Sequence, residues 1–406
     1  MTMTSSEFQN IARAVTGYAE QKRSDAVKIS GTALMGNDAR INVNAEDYYG
    51  SIRWNTTLGD IAYGTTAGNP GTTSNVNIAT QDDTEGNTTE HGTDVSEYIK
   101  TARNAGADEY NVTQIITQQP GAIAQVGGQF GDIRARDEDR SVVDVLKGVI
   151  ASEVIFAKDN NEVGQTDPDN LDDGSGFFFD TNSAKGANNV DGTKGLIDST
   201  KKGAASASAL WEATAAGYSD LEPEFFYLIV QPSVFQEMRG ANLLEGEDRI
   251  TDGNVQFNTI MNGMFRVVVS RTGLGSYHDM GTLGVSQAVN SGSDKTSLIC
   301  LPGSLSMVEL AQPTPVEFDA DASLGTGSGK REAWYRWGYV MHPRGYTWAG
   351  SKGGFAVNED TTASVTVQGN LKGYNYEPAT STQKKVSPWT RKETVGNLGI
   401  LPIFHS

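Results

Sequence analysis

The chain is 406 residues long and carries 50 Asp and Glu against 32 Lys and Arg, a formal charge of −18 at pH 7. With 37% hydrophobic residues and no run approaching the roughly 20 apolar residues of a membrane span, it does not read as a bundle of transmembrane helices. Its acidity argues against a sequence-wide grip on phosphate backbones, and its single cysteine, Cys300, excludes an internal disulfide framework and any multi-cysteine metal site.

The length predicts two or three folded units. Residues 1–7 have neither a basic n-region nor an apolar h-region, so no secretory signal is expected. Residues 5–23 read as an amphipathic helix, because Phe8, Ile11, Ala12, Val15 and Tyr18 recur at three- and four-residue spacing, and Thr4 with Glu7 fits a capping box. Residues 51–54 and 60–63 are short β-type pieces. Thr, Asn, Gly and Asp dominate the following stretch, 64–92, leaving too little apolar surface for a core of its own. Framed by Trp54 and Tyr63, this segment is expected to be a long hairpin ordered by a neighbour.

Residues 120–157 carry the strongest helical pattern, with Ile123, Val126, Phe130 and Ile133, then Val142, Val143, Leu146, Val149 and Ile150, on one stripe. Pro120 suits the first turn. The charged middle, Arg134, Arg136, Asp137, Glu138, Asp139 and Arg140, is expected on an exposed face. Gly127, Gly128, Gly131 and Gly148 are expected to loosen the helix, by up to about 1 kcal/mol each relative to Ala.

After a loop over 158–202, an α/β region is predicted: helices at 204–216 and 233–244, strands at 225–230, 265–270 and 297–301. The remainder reads as β-rich, with strands at 307–310, 333–340, 347–348 and 364–367. In the aromatic block 334–348, alternation puts Trp334, Arg336, Gly338 and Val340 on one face and Tyr335, Trp337, Tyr339 and Met341 on the other. Both faces are large and mostly apolar, which indicates a strand buried on both sides rather than a base-stacking platform. His342-Pro343-Arg344-Gly345 then forms the turn, and Cys300 is a buried small hydrophobe.

No catalytic constellation is present. His91, His278, His342 and His405 are scattered and form no His-Glu-x-x-His helix. Residues 325–330 resemble a phosphate loop, but Leu324 stands where the first glycine belongs and Arg331 replaces the Ser or Thr that would reach magnesium. The acidic run 167–173 fails as an EF-hand because Leu171 occupies its third position. No Gly-x-Ser-x-Gly elbow occurs. Accordingly no enzyme activity, cofactor or metal is expected.

Three segments carry a resemblance to a known family. They are the spine-like residues 123–157 with Val145-Leu146-Lys147-Gly148-Val149-Ile150-Ala151, the junction Leu228-Ile229-Val230-Gln231-Pro232-Ser233-Val234-Phe235, and Tyr339-Val340-Met341-His342-Pro343-Arg344-Gly345-Tyr346-Thr347-Trp348. In this order they resemble major capsid proteins of tailed double-stranded-DNA bacteriophages, the Hong Kong 97-type fold, across roughly residues 50–350. The resemblance implies an α+β structural protein with an N-terminal arm (1–47), an extended β-hairpin loop (48–105), and a peripheral domain with a long spine helix and acidic loop (106–194). An axial domain (195–303), return strands of the peripheral domain (304–350) and a C-terminal β segment (351–406) complete it. It implies self-assembly into pentamers and hexamers of an icosahedral shell around DNA held non-specifically, no membrane, and a place in the virion after assembly in the host cytoplasm. A portal and a cementing protein are implied partners. A separate scaffolding protein is also expected, since only about 47 residues precede the loop. Residues 48–99 contain no lysine, so no lysine–asparagine cross-link is expected from the loop. Trp54 and Tyr63, with Arg134, Arg136, Asp137, Glu138 and Asp139, are the candidate inter-subunit residues. An encapsulin-type compartment shell and an acidic bacterial surface protein are the alternatives.

Overall fold

The structure is a computed structural model that describes residues 5–36, 41, 49–55, 93–107, 120–159, 177–180, 195–218, 223–252, 255–270, 295–310, 315–321, 330–348, 355–358, 364–367, 374–376, 384–392 and 398–405. Helix α1 (Ser5–Ala26) leads to the short β1 (Met35–Gly36), then β2 (Tyr49–Asn55), β3 (Thr93–Ala107) and the long helix α2 (Pro120–Asp159). Strand β4 (Phe179–Asp180), helix α3 (Ser208–Tyr218), β5 (Phe226–Val230) and helix α4 (Pro232–Gly240) follow. Next come β6 (Glu245–Asp252), β7 (Val255–Ile260), β8 (Phe265–Val269), β9 (Lys295–Cys300), β10 (Leu305–Glu309), β11 (Val316–Asp321), β12 (Lys330–Pro343) and β13 (Tyr346–Trp348). Four short strands, β14 (Phe355–Asn358), β15 (Ser364–Val367), β16 (Tyr374–Tyr376) and β17 (Lys384–Val386), precede β18 (Trp389–Arg391) and β19 (Ile400–His405).

One sheet runs β1-β10-β12-β3-β2, with β11 also paired to β12. Its centre is β12, whose residues 333–340 pair antiparallel with β3 from Ala107 back to Lys100. Tyr335, Trp337, Tyr339, Val340 and Met341 are buried, as the apolar alternation on both faces requires, and Arg336 is the exception facing out. Gly345, at φ 88°, makes the turn into β13, a backbone region open to glycine without strain. Helix α2 lies across this sheet, with Phe130 stacked on Tyr335 at 5.5 Å.

The second sheet runs β4-β19-β9-β5-β8-β7-β6. Strand β5 is buried at every residue and pairs parallel with β8, which explains its unbroken Phe-Tyr-Leu-Ile-Val run. Helix α3 packs on it through Tyr218 against Phe226, and α4 through Val234 and Met238. Burial pushes the Cys300 thiol on β9 well above its ordinary value, consistent with an inert hydrophobe.

Several expectations shift. Helix α4 stops at Gly240 rather than at 244, and α3 begins at Ser208 after a 3-10 turn. Strands β6, β7, β11 and β19 were not legible in the sequence. The last of these changes the organisation, because β19 inserts between β4 and β9. Its Pro402 argues against an interior strand on sequence grounds, and only the pairing of Ile400 to His405 with β9 overrides that. Within the C-terminal β segment, β18 pairs with β13. The β piece expected at 60–63, the 64–92 tip and most of the acidic loop lie outside the described residues.

Candidate functional site

Where α1 meets the first half of α2, two glycines set the distance. A Cβ at Gly127 would stand 2.7 Å from Tyr18 Cβ and 2.8 Å from the Val15 carbonyl oxygen, and one at Gly131 would run into the Ala19 carbonyl oxygen. These glycines are therefore sites of close helix approach. The expectation that they merely loosen α2 is corrected here, because without side chains they admit the α1 backbone. Ile11 and Val15 are buried against the spine as the periodicity predicts, whereas Tyr18, expected on the same stripe, remains 46% exposed and Ala19, which that stripe did not include, takes its place in the core.

The expected exposed charged face is also corrected. Arg134 is 5% and Glu138 0% exposed. Arg134 Nε donates to Glu138 Oε1 at 2.8 Å, and its Nη1 donates to Glu20 Oε1 at 2.6 Å and to the Tyr335 hydroxyl at 2.9 Å. Its Nη2 pairs with Glu309 Oε2 at 3.1 Å. Arg23 Nε donates to the second Glu138 oxygen at 2.8 Å and its Nη2 pairs with Glu309. Two guanidinium groups thus hold three carboxylates drawn from α1, α2 and β10, with Tyr335 of β12 donating to Glu20. Burial displaces these charges from solvent, so the packing of four elements, rather than the helix alone, satisfies them.

The titration directions follow. Burial pushes the Glu138 carboxyl above its ordinary value, against the pull of Arg23 and Arg134. Burial also pushes Glu309 upward, but Arg23 and Arg134 outweigh it and hold Glu309 below its ordinary value of 4.5. The Tyr335 hydroxyl is pushed up to about 12 by burial. A carboxylate with a lowered folded value contributes stability present above its unfolded pKa and lost as pH falls through the folded one. Glu309→Gln should therefore flatten the acid limb of a stability profile measured by thermal unfolding from pH 3 to 7; an unchanged limb would show that Glu309 is not coupled to the cluster.

The other charged positions divide. Asp137 accepts from Trp337 Nε1 at 3.1 Å and from the Tyr339 hydroxyl at 2.9 Å, and pairs with Arg103 Nε at 3.5 Å. Asp139 accepts the backbone N–H groups of Lys28, Ile29 and Ser30 and the Ser30 hydroxyl, pinning the chain as it leaves α1. Asp139→Ala should cost about 1–2 kcal/mol, as loss of a multiply bonded cap does, read from urea unfolding; no change would mean that water replaces the carboxylate. Arg136 is exposed and donates to the Asp132 carbonyl of its own helix at 3.1 Å. Trp54 lies on β2 opposite Asp94; its side chain and the whole of Tyr63 lie outside the described residues.

A second buried centre was missed in the sequence. Glu153 of α2, 0% exposed, accepts the Phe177 N–H at 2.7 Å and the Tyr346 hydroxyl at 2.8 Å, with Arg391 Nη1 at 3.5 Å. It joins the spine to β13 and β18, elements nearly 200 and more residues away. Beside it Trp348 and Trp389 meet edge to face at 5.3 Å. The lone acid in the apolar run 149–156 was the available signal.

Among the described residues no group of three or more His, Cys, Asp or Glu is placed to hold a metal ion, and no helix is long and apolar enough to cross a membrane. No protein-family model matches the chain, and no curated protein matches it. Solved structures do match over most of its length. The cyanophage Pam1 capsid asymmetric unit is 11% identical with a TM-score of 0.42, covering 90% of this chain and 86% of that one. The capsid of Ralstonia phage GP4 is 11% identical with a TM-score of 0.40, covering 79% and 86%. Mycobacterium phage Che8 is 11% identical with a TM-score of 0.36, covering 91% and 89%.

Proposed function

We propose that this chain is the major capsid subunit of a tailed double-stranded-DNA bacteriophage, assembling into hexamers and pentamers of an icosahedral shell. The observation that carries the reading is the division of β3. Its residues 100–107 pair with β12 inside the sheet, while 93–99 pair with β2; 96–99 still rest on the body through buried Ser96, Tyr98 and Ile99, and 93–95 with their β2 partners lead out as a two-stranded ribbon. Fifteen residues of strand extend about 50 Å, and a lone two-stranded ribbon is marginal in water. A ribbon continuing into the core-poor segment 56–92 is accounted for if a neighbouring subunit receives it. The 40-residue helix α2, clamped to the first sheet by Arg134 and Asp137 and to the β13–β18 pair by Glu153, suits a spine that keeps its shape when neighbours pull on the arm.

On this reading 48–105 is the extended loop, 106–194 and 304–350 form the peripheral domain, and 195–303 forms the axial domain, which β19 joins from the 351–406 segment. A separate scaffolding protein, a portal and a cementing protein are the expected partners, the shell encloses DNA without reading its sequence, and assembly takes place in the host cytoplasm. Electron microscopy of the purified protein, with and without a co-expressed scaffolding protein, tests this. Closed shells or capsomers support it, and packaged DNA separates a virion from a cargo compartment. A monodisperse monomer under every condition overturns it. Because residues 48–99 lack lysine, denaturing gels of mature shells should show a single subunit band rather than a covalent ladder.

A further inference from the structure

We infer that the short β13–β18 pair is a joint that couples two distant parts of the chain, the β2–β3 ribbon and the excursion 349–388, so that a load on either is felt by the other through Tyr346. The coupling is a property of the folded subunit and stands apart from the shell reading above.

The excursion leaves and returns at one point. Trp348 and Trp389 are partners in the antiparallel β13–β18 pair, and their buried rings meet edge to face at 5.3 Å. Within the excursion β14 pairs with β15 and β16 with β17, and neither hairpin joins either large sheet. Its root is therefore the β13–β18 pair, backed by the Ser387 hydroxyl, which donates to the Gly148 carbonyl of α2 at 2.7 Å.

The ribbon is held at the same point. The ladder of β3 with β12 ends at the pair Lys100 and Val340, and β13 then takes over. Ser96 Oγ donates to the Tyr346 carbonyl at 2.6 Å, and the Glu97 N–H donates to Thr347 Oγ1 at 2.8 Å. Ser96, fully buried, also lies 3.4 Å from His342 Nε2, and the His342 ring stands edge-on to Trp389 at 5.7 Å. The residues that aim the ribbon thus touch the strand pair that roots the excursion.

Tyr346 ties both to the spine. Its carbonyl accepts from Ser96, its hydroxyl donates to Glu153 at 2.8 Å, and its ladder partner Arg391 reaches the same carboxylate at 3.5 Å. The Phe177 N–H donates to that carboxylate from the far side at 2.7 Å. Strand β13 is three residues long and buried at each of them, so it shifts as a unit and carries the acceptors for Ser96 and Glu97 with it. A close-packed interior transmits such a shift rather than absorbing it. A partner that seizes the excursion therefore also sets the direction of the ribbon.

Hydrogen exchange of the purified full chain, read by mass spectrometry, tests the coupling. Tyr346→Phe deletes one hydroxyl and should speed exchange about tenfold or more over both 93–97 and 389–391, the scale of one lost hydrogen bond to a charged group. Residues 100–107 and β5 should keep their rates. Replacing 349–388 with Asn-Gly, a two-residue turn suited to closing an antiparallel pair, shortens the loop that the pair must close and should slow exchange at 389–391 and 93–97 together. A change confined to 389–391 in either variant overturns the joint. So does a Tyr346→Phe chain whose rates are unchanged at both segments.

Discussion

Arg134→Ala should be among the most damaging single changes in this chain, costing about 3–5 kcal/mol, the range for removing one partner of a buried ion pair. The reason is what it abandons. Glu138, fully buried, would keep only Arg23, and that one guanidinium would face Glu20, Glu138 and Glu309 together. Tyr335 would lose the donor at 2.9 Å that fixes its ring against Phe130. Equilibrium urea unfolding followed by circular dichroism reads the loss. Adding Glu138→Gln should recover part of it, because a buried amide costs less than a buried unpaired carboxylate, and the two effects should fall short of their sum by at least 0.5 kcal/mol. Arg136→Ala, two residues on but exposed, should leave the midpoint where it is. Equal effects at 134 and 136 would dismantle the cluster argument.

Gly131→Val should cost about 3 kcal/mol, the upper end of overpacking, by lifting α1 off the spine. The obstacle to its Cβ is the Ala19 carbonyl oxygen together with Lys22 Cβ and the Arg23 nitrogen, and helix backbone cannot turn aside as a side chain can. Separation would also pull Arg23 and Glu20 away from Glu138 and Arg134. Hydrogen exchange should show lost protection over residues 5–26 while β5 and β9 keep theirs. Gly128 is the internal control: a Cβ there meets nothing within 4 Å, so Gly128→Ala should stabilise the helix by about 0.5–1 kcal/mol. If both substitutions stabilise, the seam is not a close approach.

Periodicity alone determined α1, α2, the buried β5 run and the two-sided burial of β12, because an apolar stripe or unbroken apolar strand states locally how much water it must exclude. The N-terminal proline of α2 and the turn at Gly345 were legible for the same reason, since each is a property of a few consecutive residues. Two β pieces, 51–54 and 60–63, were legible ahead of the core-poor stretch, and the first falls within β2; β3, on the far side of that stretch, was not.

What the tertiary structure decided was where charge and glycine go. From residues 134–140 alone, a helical turn of mixed charge looks solvated; Arg134 and Glu138 within it are buried because Glu20, Arg23, Glu309 and Tyr335, from up to about two hundred residues away, neutralise them, and no local window contains these partners. Gly131 looks like a weak point until Ala19 is placed against it. Strand β19 and Glu153 were hidden likewise, since a proline-bearing strand and a lone carboxylate are stabilised only by partners that folding delivers.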